Sequence, residues 1–263
     1  MKEYDIEELE KVDEYLLRGI MKAHSKTSRA ALYLESGCVP LRYILKKRHI
    51  LYLYHLITRD KNELIRKVYE AQESAPVKDD WVLQVNSDLL ELNLHKDELR
   101  NFKKLRLKKE LRKRILNASF KYLQNIKLSQ SKLQNVIYKS LDTQKYLVSP
   151  NFTDTEKSLL IRLRTRMIDV RENFKNKYLF NNDYNCELKC GERENQEHLL
   201  ECQVLINSCD ALYNDSTVQY SDIFASIAKQ VDTVKLFTKV LKTREQLIRD
   251  SSTEDNSSVQ CTI

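Results

Sequence analysis

Glycine and proline are scarce, three of each in 263 residues. Tight hairpins lean on glycine, Asn-Gly and proline turns, so a strand-rich fold has little to turn on. Long apolar runs are missing as well, and none reaches the roughly 20 residues that a membrane-spanning helix needs. The chain opens MKEYDIEELEKVDEY, acidic and amphipathic, whereas a secretory leader is basic and then apolar. An intracellular protein, nuclear or cytoplasmic, is therefore expected, with reduced thiols and no membrane partner. No glycine-rich phosphate loop occurs and no nucleophile stands with a base. The sequence thus builds no active site and predicts no small-molecule substrate.

Leucine, lysine, glutamate and arginine, all good helix formers, fill the chain instead. The expected fold is all-α, an irregular multi-helix array with a small Cys3His zinc-binding module. Ile6, Leu9, Val12, Leu16, Leu17 and Ile20 recur at helical spacing and mark an amphipathic first helix. A short helix over 28–35 ends at Gly37, and Pro40 opens a third with a wide apolar face from Leu41 to Ile57. A fourth spans about 62–73, and Asp79-Asp80 starts the next. Thr153 and Glu156 stand in capping-box register and open a helix beyond the linker Ser149-Pro150-Asn151. Two further helices fit 221–229 and 233–249, and the polar residues 251–263 read as a disordered tail.

Charge is concentrated. The net charge is +7, yet the window Asn101–Lys127 alone carries +9, leaving the remainder acidic. Lys103, Lys104, Arg106, Lys108, Lys109, Arg112, Lys113 and Arg114 crowd one helix that has Glu110 as its sole acid. A solvated face is one reading of such a run. The near absence of acids and the nearby Phe102, Phe120 and Tyr122 favour another, contact with an RNA or DNA backbone and stacking on unpaired bases. The string KKLRLKKELRKR also fits a nuclear-import signal. Arg162, Arg164 and Arg166 form a candidate second patch.

Six cysteines are present; Cys38, Cys209 and Cys261 are scattered, while Cys186, Cys190 and Cys202 fall within CELKCGERENQEHLLEC together with His198. Three thiolates and an imidazole are a standard structural zinc set, which leaves no coordination position for water. His198 and Cys202 are four apart and would share a helix face, with Asn195 or Gln196 beginning that helix. Gly191 lets the chain turn back after Cys190. Two readings stay open at this point: a structural Zn2+ site, or ordinary thiols beside a surface histidine. Cys209 is either a substitute ligand or core. His24, His49, His55 and His95 lack partners at ligand spacing and read as structural or exposed.

The phrases SRAALYLESGCVPLRYILKKRHILYLYHLI (28–57), EAQESAPVKDDWVLQVNSDLLEL (70–92), LLIRLRTRMIDVRENFKNKY (159–178) and CELKCGERENQEHLLEC, in that order, resemble the C-terminal region of reverse transcriptases from non-LTR (LINE-type) retrotransposons. The resemblance implies zinc ligation by Cys186, Cys190, His198 and Cys202, and a mobile-element origin as a fragment. It also implies helices that contact nucleic acid or dock on a polymerase core in trans. One departure is the spacing between Cys186 and Cys190, three residues where the family often has two. The paired aspartates that hold polymerase metal ions are absent, so the chain is expected not to be an enzyme. The expected division is a thumb- or connector-like region over 1–75, a basic helical region over 76–150, and 151–250 with the arginine-rich helix, the zinc module (about 183–205) and C-terminal helices. The alternative function is a helical interaction module, motivated by an apolar stripe through Leu41, Ile44, Leu51, Leu53 and Ile57.

Overall fold

The computed structural model describes residues 3–78, 80–130, 133, 136–173, 184–208 and 218–257. Among them are twelve α-helices and no strand, so the protein is all-α. The chain divides into two compact units, one of residues 1–17 with 29–143, the other of 18–28 with 144–263. The expected divide at 75/76 falls inside the first unit.

The first unit holds most of α1 (Glu3–Met21), then α2 (Arg29–Ser36), α3 (Leu41–Ile57), α4 (Leu64–Ser74), α5 (Trp81–Glu91), α6 (Lys96–Asn101) and α7 (Lys104–Leu128). Pro40 precedes α3, where a missing N–H costs nothing. Helix α3 packs against α4, α5, α6 and α7. Their shared core includes Ile50, Leu53, Leu56, Val85, Leu99, Leu107 and Leu111. The stripe expected on α3 as a docking face is mostly this core: Leu53 and Ile57 are buried, Leu41 and Leu51 half-buried, and Ile44 alone lies open. That removes the observation that motivated the interaction-module reading.

Helix α1 inverts its expected polarity. Leu17 is buried, but Leu9, Val12, Leu16 and Ile20 are exposed, while Glu10 and Glu14 face inward. Buried carboxylates need charged partners. Arg42 binds Glu10 through two nitrogens, Nε to Oε1 at 2.9 Å and Nη2 to Oε2 at 2.8 Å. Arg29 takes Glu14, and the Tyr33 hydroxyl donates to Asp13 at 2.6 Å. The interior face of α1 is an ion-pair seam.

The second unit contains α8 (Lys145–Val148), α9 (Asp154–Arg164), α10 (His198–Glu201), α11 (Gln203–Ser208), a 3-10 turn (Tyr220–Phe224) and α12 (Ile227–Ser257). The capping box of α9 forms as its spacing predicts: Glu156 N–H donates to Thr153 Oγ1, and Thr153 N–H to Glu156 Oε2 at 2.8 Å. The two expected C-terminal helices are instead the 3-10 turn followed by one long helix. Residues 230–232, Gln-Val-Asp, contain no glycine or proline to break it. Helix α12 also enters the expected tail and ends at Ser257; residues 258–263 lie outside those described. Phe237 of α12 packs edge-on against Tyr220, ring centroids 6.2 Å apart.

Candidate metal centre and basic helix

The segment around the clustered cysteines is a short hairpin running into a helical turn. Cys186 N–H donates to Glu192 O and Glu194 N–H to Tyr184 O, both at 2.7 Å, and Asn185 pairs with Arg193 in a single antiparallel bridge. The reversal between them uses two left-handed residues, Lys189 (φ 58°) and Gly191 (φ 90°). The glycine expected to turn the chain does so. The three-residue spacing is accommodated because Lys189 N–H closes back on Cys186 O at 2.9 Å.

On the other side, Asn195 Oδ1 accepts from His198 N–H at 2.7 Å, and α10 begins at His198 with Glu197 as its N-cap, later than the expected start at Asn195 or Gln196. Helix α10 ends at Glu201, so Cys202 is not its last residue but its extended C-cap. The pair His198/Cys202 therefore converges across a helix terminus rather than along a helix face.

The four side chains meet. One donor atom from each of Cys186, Cys190, His198 and Cys202 lies within 4.8 Å of every other. Cys186 Sγ is 3.9 Å from Cys202 Sγ, and Cys190 Sγ is 3.3 Å from His198 Nε2. At that separation the sulfurs are not bonded to each other. Cys186, His198 and Cys202 are buried and Cys190 half-buried. Burial pushes the Cys186 thiol up to about 12, against a backbone N–H from Leu188 that favours the thiolate. Burial raises Cys202 as well, opposed by N–H groups of Leu205 and Val204. The backbone N–H groups aimed at these sulfurs favour the thiolate form, the form in which a cysteine binds a metal ion. The four residues could hold a metal ion. Cys209 falls outside the described residues.

The scaffold behind the cluster was not foreseen from sequence. Gln196, fully buried, donates to Leu163 O at 3.0 Å and accepts from Asn173 Nδ2 at 2.9 Å. Arg244, on α12, reaches Glu194 Oε1 and Glu187 Oε2, both at 2.7 Å. These partners stand 20 to 60 residues away in sequence, so no local pattern announces them.

On α7, Lys104, Arg106, Lys108, Lys109, Arg112 and Lys113 are exposed, as is Lys103 just before it. Lys104, Lys108 and Arg112 form one row, and Arg106, Lys109 and Lys113 a second. Arg114 differs. It binds Glu110 at 2.7 Å and the carbonyls of Leu92 and Asn93, so it ties α7 to the end of α5. Lys127 is buried, and burial lowers its pKa. The aromatic residues expected to stack on bases are drawn inward: Phe102 and Tyr122 pack on the core, with Tyr122 edge-on to Tyr43 and beneath Arg42.

The second patch does not assemble. Arg162 is exposed, but Arg164 is 3% exposed and donates to Ile223 O at 3.0 Å and Gln144 Oε1 at 3.2 Å. Arg166, in a left-handed conformation, pairs bidentately with Glu197. Each of these two guanidiniums braces the second unit.

Fold and site together define an all-α protein carrying a Cys3His cluster able to hold a metal ion. Comparison with protein families, with curated proteins and with solved structures returns no match.

Proposed function

We propose that the chain is a zinc-stabilised nucleic-acid-binding module, similar to the region that follows the polymerase in non-LTR retrotransposon reverse transcriptases, without polymerase activity of its own. The observation that carries this reading is the solvent side of α7, where seven cations counting Lys103 face outward and the lone acid, Glu110, is engaged by Arg114. Such a rod neutralises a phosphate backbone without reading bases.

Zinc is the metal that the donor set favours. Three sulfurs and one imidazole suit a borderline-soft ion in tetrahedral geometry. With Zn–S near 2.3 Å and Zn–N near 2.0 Å, tetrahedral edges are about 3.8 Å between sulfurs and about 3.5 Å from sulfur to nitrogen. The observed 3.9 and 3.3 Å lie close to both. All four positions are filled by protein, so the ion would be structural, cross-linking the hairpin to the turn of α10.

The test is binding of labelled single-stranded RNA and duplex DNA by the full chain. Affinity should fall with salt on a log–log slope of roughly 0.7 to 0.9 per phosphate neutralised. Reversing Lys108, Lys109, Arg112 and Lys113 to glutamate should abolish binding while leaving the helical circular dichroism intact, since all four are exposed. Unchanged affinity would reduce the helix to a solvated face. Extension of a primed template by the pure protein would overturn the non-enzymatic reading.

A further inference from the structure

The second row of cations on α7 does not stop with the basic run. Continued at four-residue spacing, Lys109 and Lys113 lead to Asn117, Lys121 and Asn125, each about 6 Å further along the axis. Those last three residues line a cavity of about 560 Å³ within the first unit, between α7 and the end of α5. Small-molecule sites occupy volumes of this order.

The lining combines rings, amides and a cation. Tyr43 and Tyr122, edge-on with ring centroids 5.8 Å apart, give it an aromatic wall. Asn93, Asn117 and Asn125 add three carboxamides, each a donor beside an acceptor. Asn93 is held there in a left-handed conformation (φ 51°), its carbonyl taken by Arg114. Glu91, the acid of the lining, is engaged by Lys46, and Arg114 is engaged by Glu110. The three amides and Lys121 differ: among the described residues their side chains make no hydrogen bond or ion pair. A single exposed asparagine on a helix is ordinary. Three uncommitted amides from two elements around one ring-walled cavity match a flat ligand with hydrogen-bonding edges, which describes a nucleobase.

We propose that this cavity receives one unpaired base of a single-stranded nucleic acid whose phosphates lie along Lys109, Lys113 and Lys121. The proposal rests on the reading of α7 as a nucleic-acid-binding helix and narrows its ligand to a single strand. A base within a duplex has its pairing edge occupied and its faces stacked, so it cannot enter. The cationic rod neutralises phosphates, and the cavity at its end holds a base. Ribose and deoxyribose strands present the same edges, so pairing state rather than sugar selects the ligand.

Fluorescence anisotropy with the full chain tests this on three strands of equal length: oligothymidylate, oligouridylate and an abasic deoxyribose-phosphate strand. All carry the same charge, and only the abasic one lacks bases. Both base-bearing strands should bind at least about tenfold tighter than the abasic strand. In Asn117→Ala/Asn125→Ala that advantage should vanish; both positions are exposed and alanine suits a helix, so circular dichroism should be retained. Ultraviolet cross-linking of a strand carrying 4-thiouracil should label the tryptic peptides 115–121 or 122–127. Equal affinity of the parent for all three strands overturns the proposal, as does a variant that keeps the advantage or a label found only elsewhere. Each of these results leaves the cationic helix standing as a phosphate binder, which the glutamate reversal tests separately. A parent that binds no strand overturns both readings.

Discussion

Asp88 shows how a single buried carboxylate is held. It is fully buried, with His49 Nδ1 at 2.8 Å and Lys46 Nζ at 3.4 Å. Burial alone pushes its pKa up, but the hydrogen bond from His49 and the charge of Lys46 outweigh this and leave it below the ordinary carboxylate value. A depressed folded pKa contributes stability that is present above the unfolded value, near 3.9, and is lost as pH falls through the folded one. Asp88→Asn should therefore cost about 3 kcal/mol at neutral pH, since it removes the buried charge that faces Lys46 and bonds His49. The gap between parent and variant should narrow below about pH 4, read from urea unfolding at each pH. Nothing in the sequence singles out this pair, because His49 and Asp88 are 39 residues apart and meet only when α3 packs on α5. Glu10 and Arg42 evade sequence reading in the same way. An apolar period finds the greasy face of a helix and is blind to a face buried through ion pairs. The cluster at 186–202 was legible because its four donors lie in one short segment of fixed chemistry.

At the scale of elements, two glycines of similar appearance in the sequence have opposite duties. Gly37 terminates α2 with φ 71°, its N–H bonded to Tyr33 O at 2.9 Å. A β-carbon there would run into the backbone of Asp142 and Thr143. Gly19 lies inside α1 with nothing within 4 Å of the place a β-carbon would take. Gly37→Ala should destabilise by more than about 2 kcal/mol, combining left-handed strain with a clash that only backbone movement relieves. Gly19→Ala should stabilise by roughly 0.5–1 kcal/mol through helix propensity. Thermal melts of the two variants beside the parent should move in opposite directions. Of these, the C-terminal stop at Gly37 was legible in the sequence; the close approach of residues 142–143 was not. The Thr153 capping box was legible for a related reason, since its partners are three residues apart and need no tertiary contact to form. Arg164 was misread because an arginine on an arginine-rich helix looks like surface until the carbonyl of Ile223 comes to it.

For the molecule as a whole, the proposed zinc ion would have unequal value to the two units. The first has an aliphatic core drawn from five helices, α3 to α7, and an ion-pair seam under α1, none of which involves the cysteine cluster. The second places the cluster at a junction: the hairpin, the turn of α10 and, through Arg244 bonded to Glu194 and Glu187, the long helix α12. With the metal gone, three buried ligands are left without the charge that holds them, and Arg244 anchors a hairpin that has lost its cross-link. Structural zinc contributes on the order of 10 kcal/mol to folding of small modules, comparable with the whole stability of an ordinary domain. Chelation should therefore loosen the second unit while the first stays folded. In hydrogen exchange, amides of 184–208 and the part of α12 around Arg244 should lose protection by at least about a hundredfold, while those of α3, α5 and α7 keep theirs. His198→Ala should give the same pattern without chelator, and mass spectrometry should count one zinc per parent chain and none in the variant. Uniform loss of protection in both units would mean that the metal supports the chain as one cooperative body. No change in either, with no zinc bound to the parent, would return the four residues to ordinary core thiols and a buried histidine.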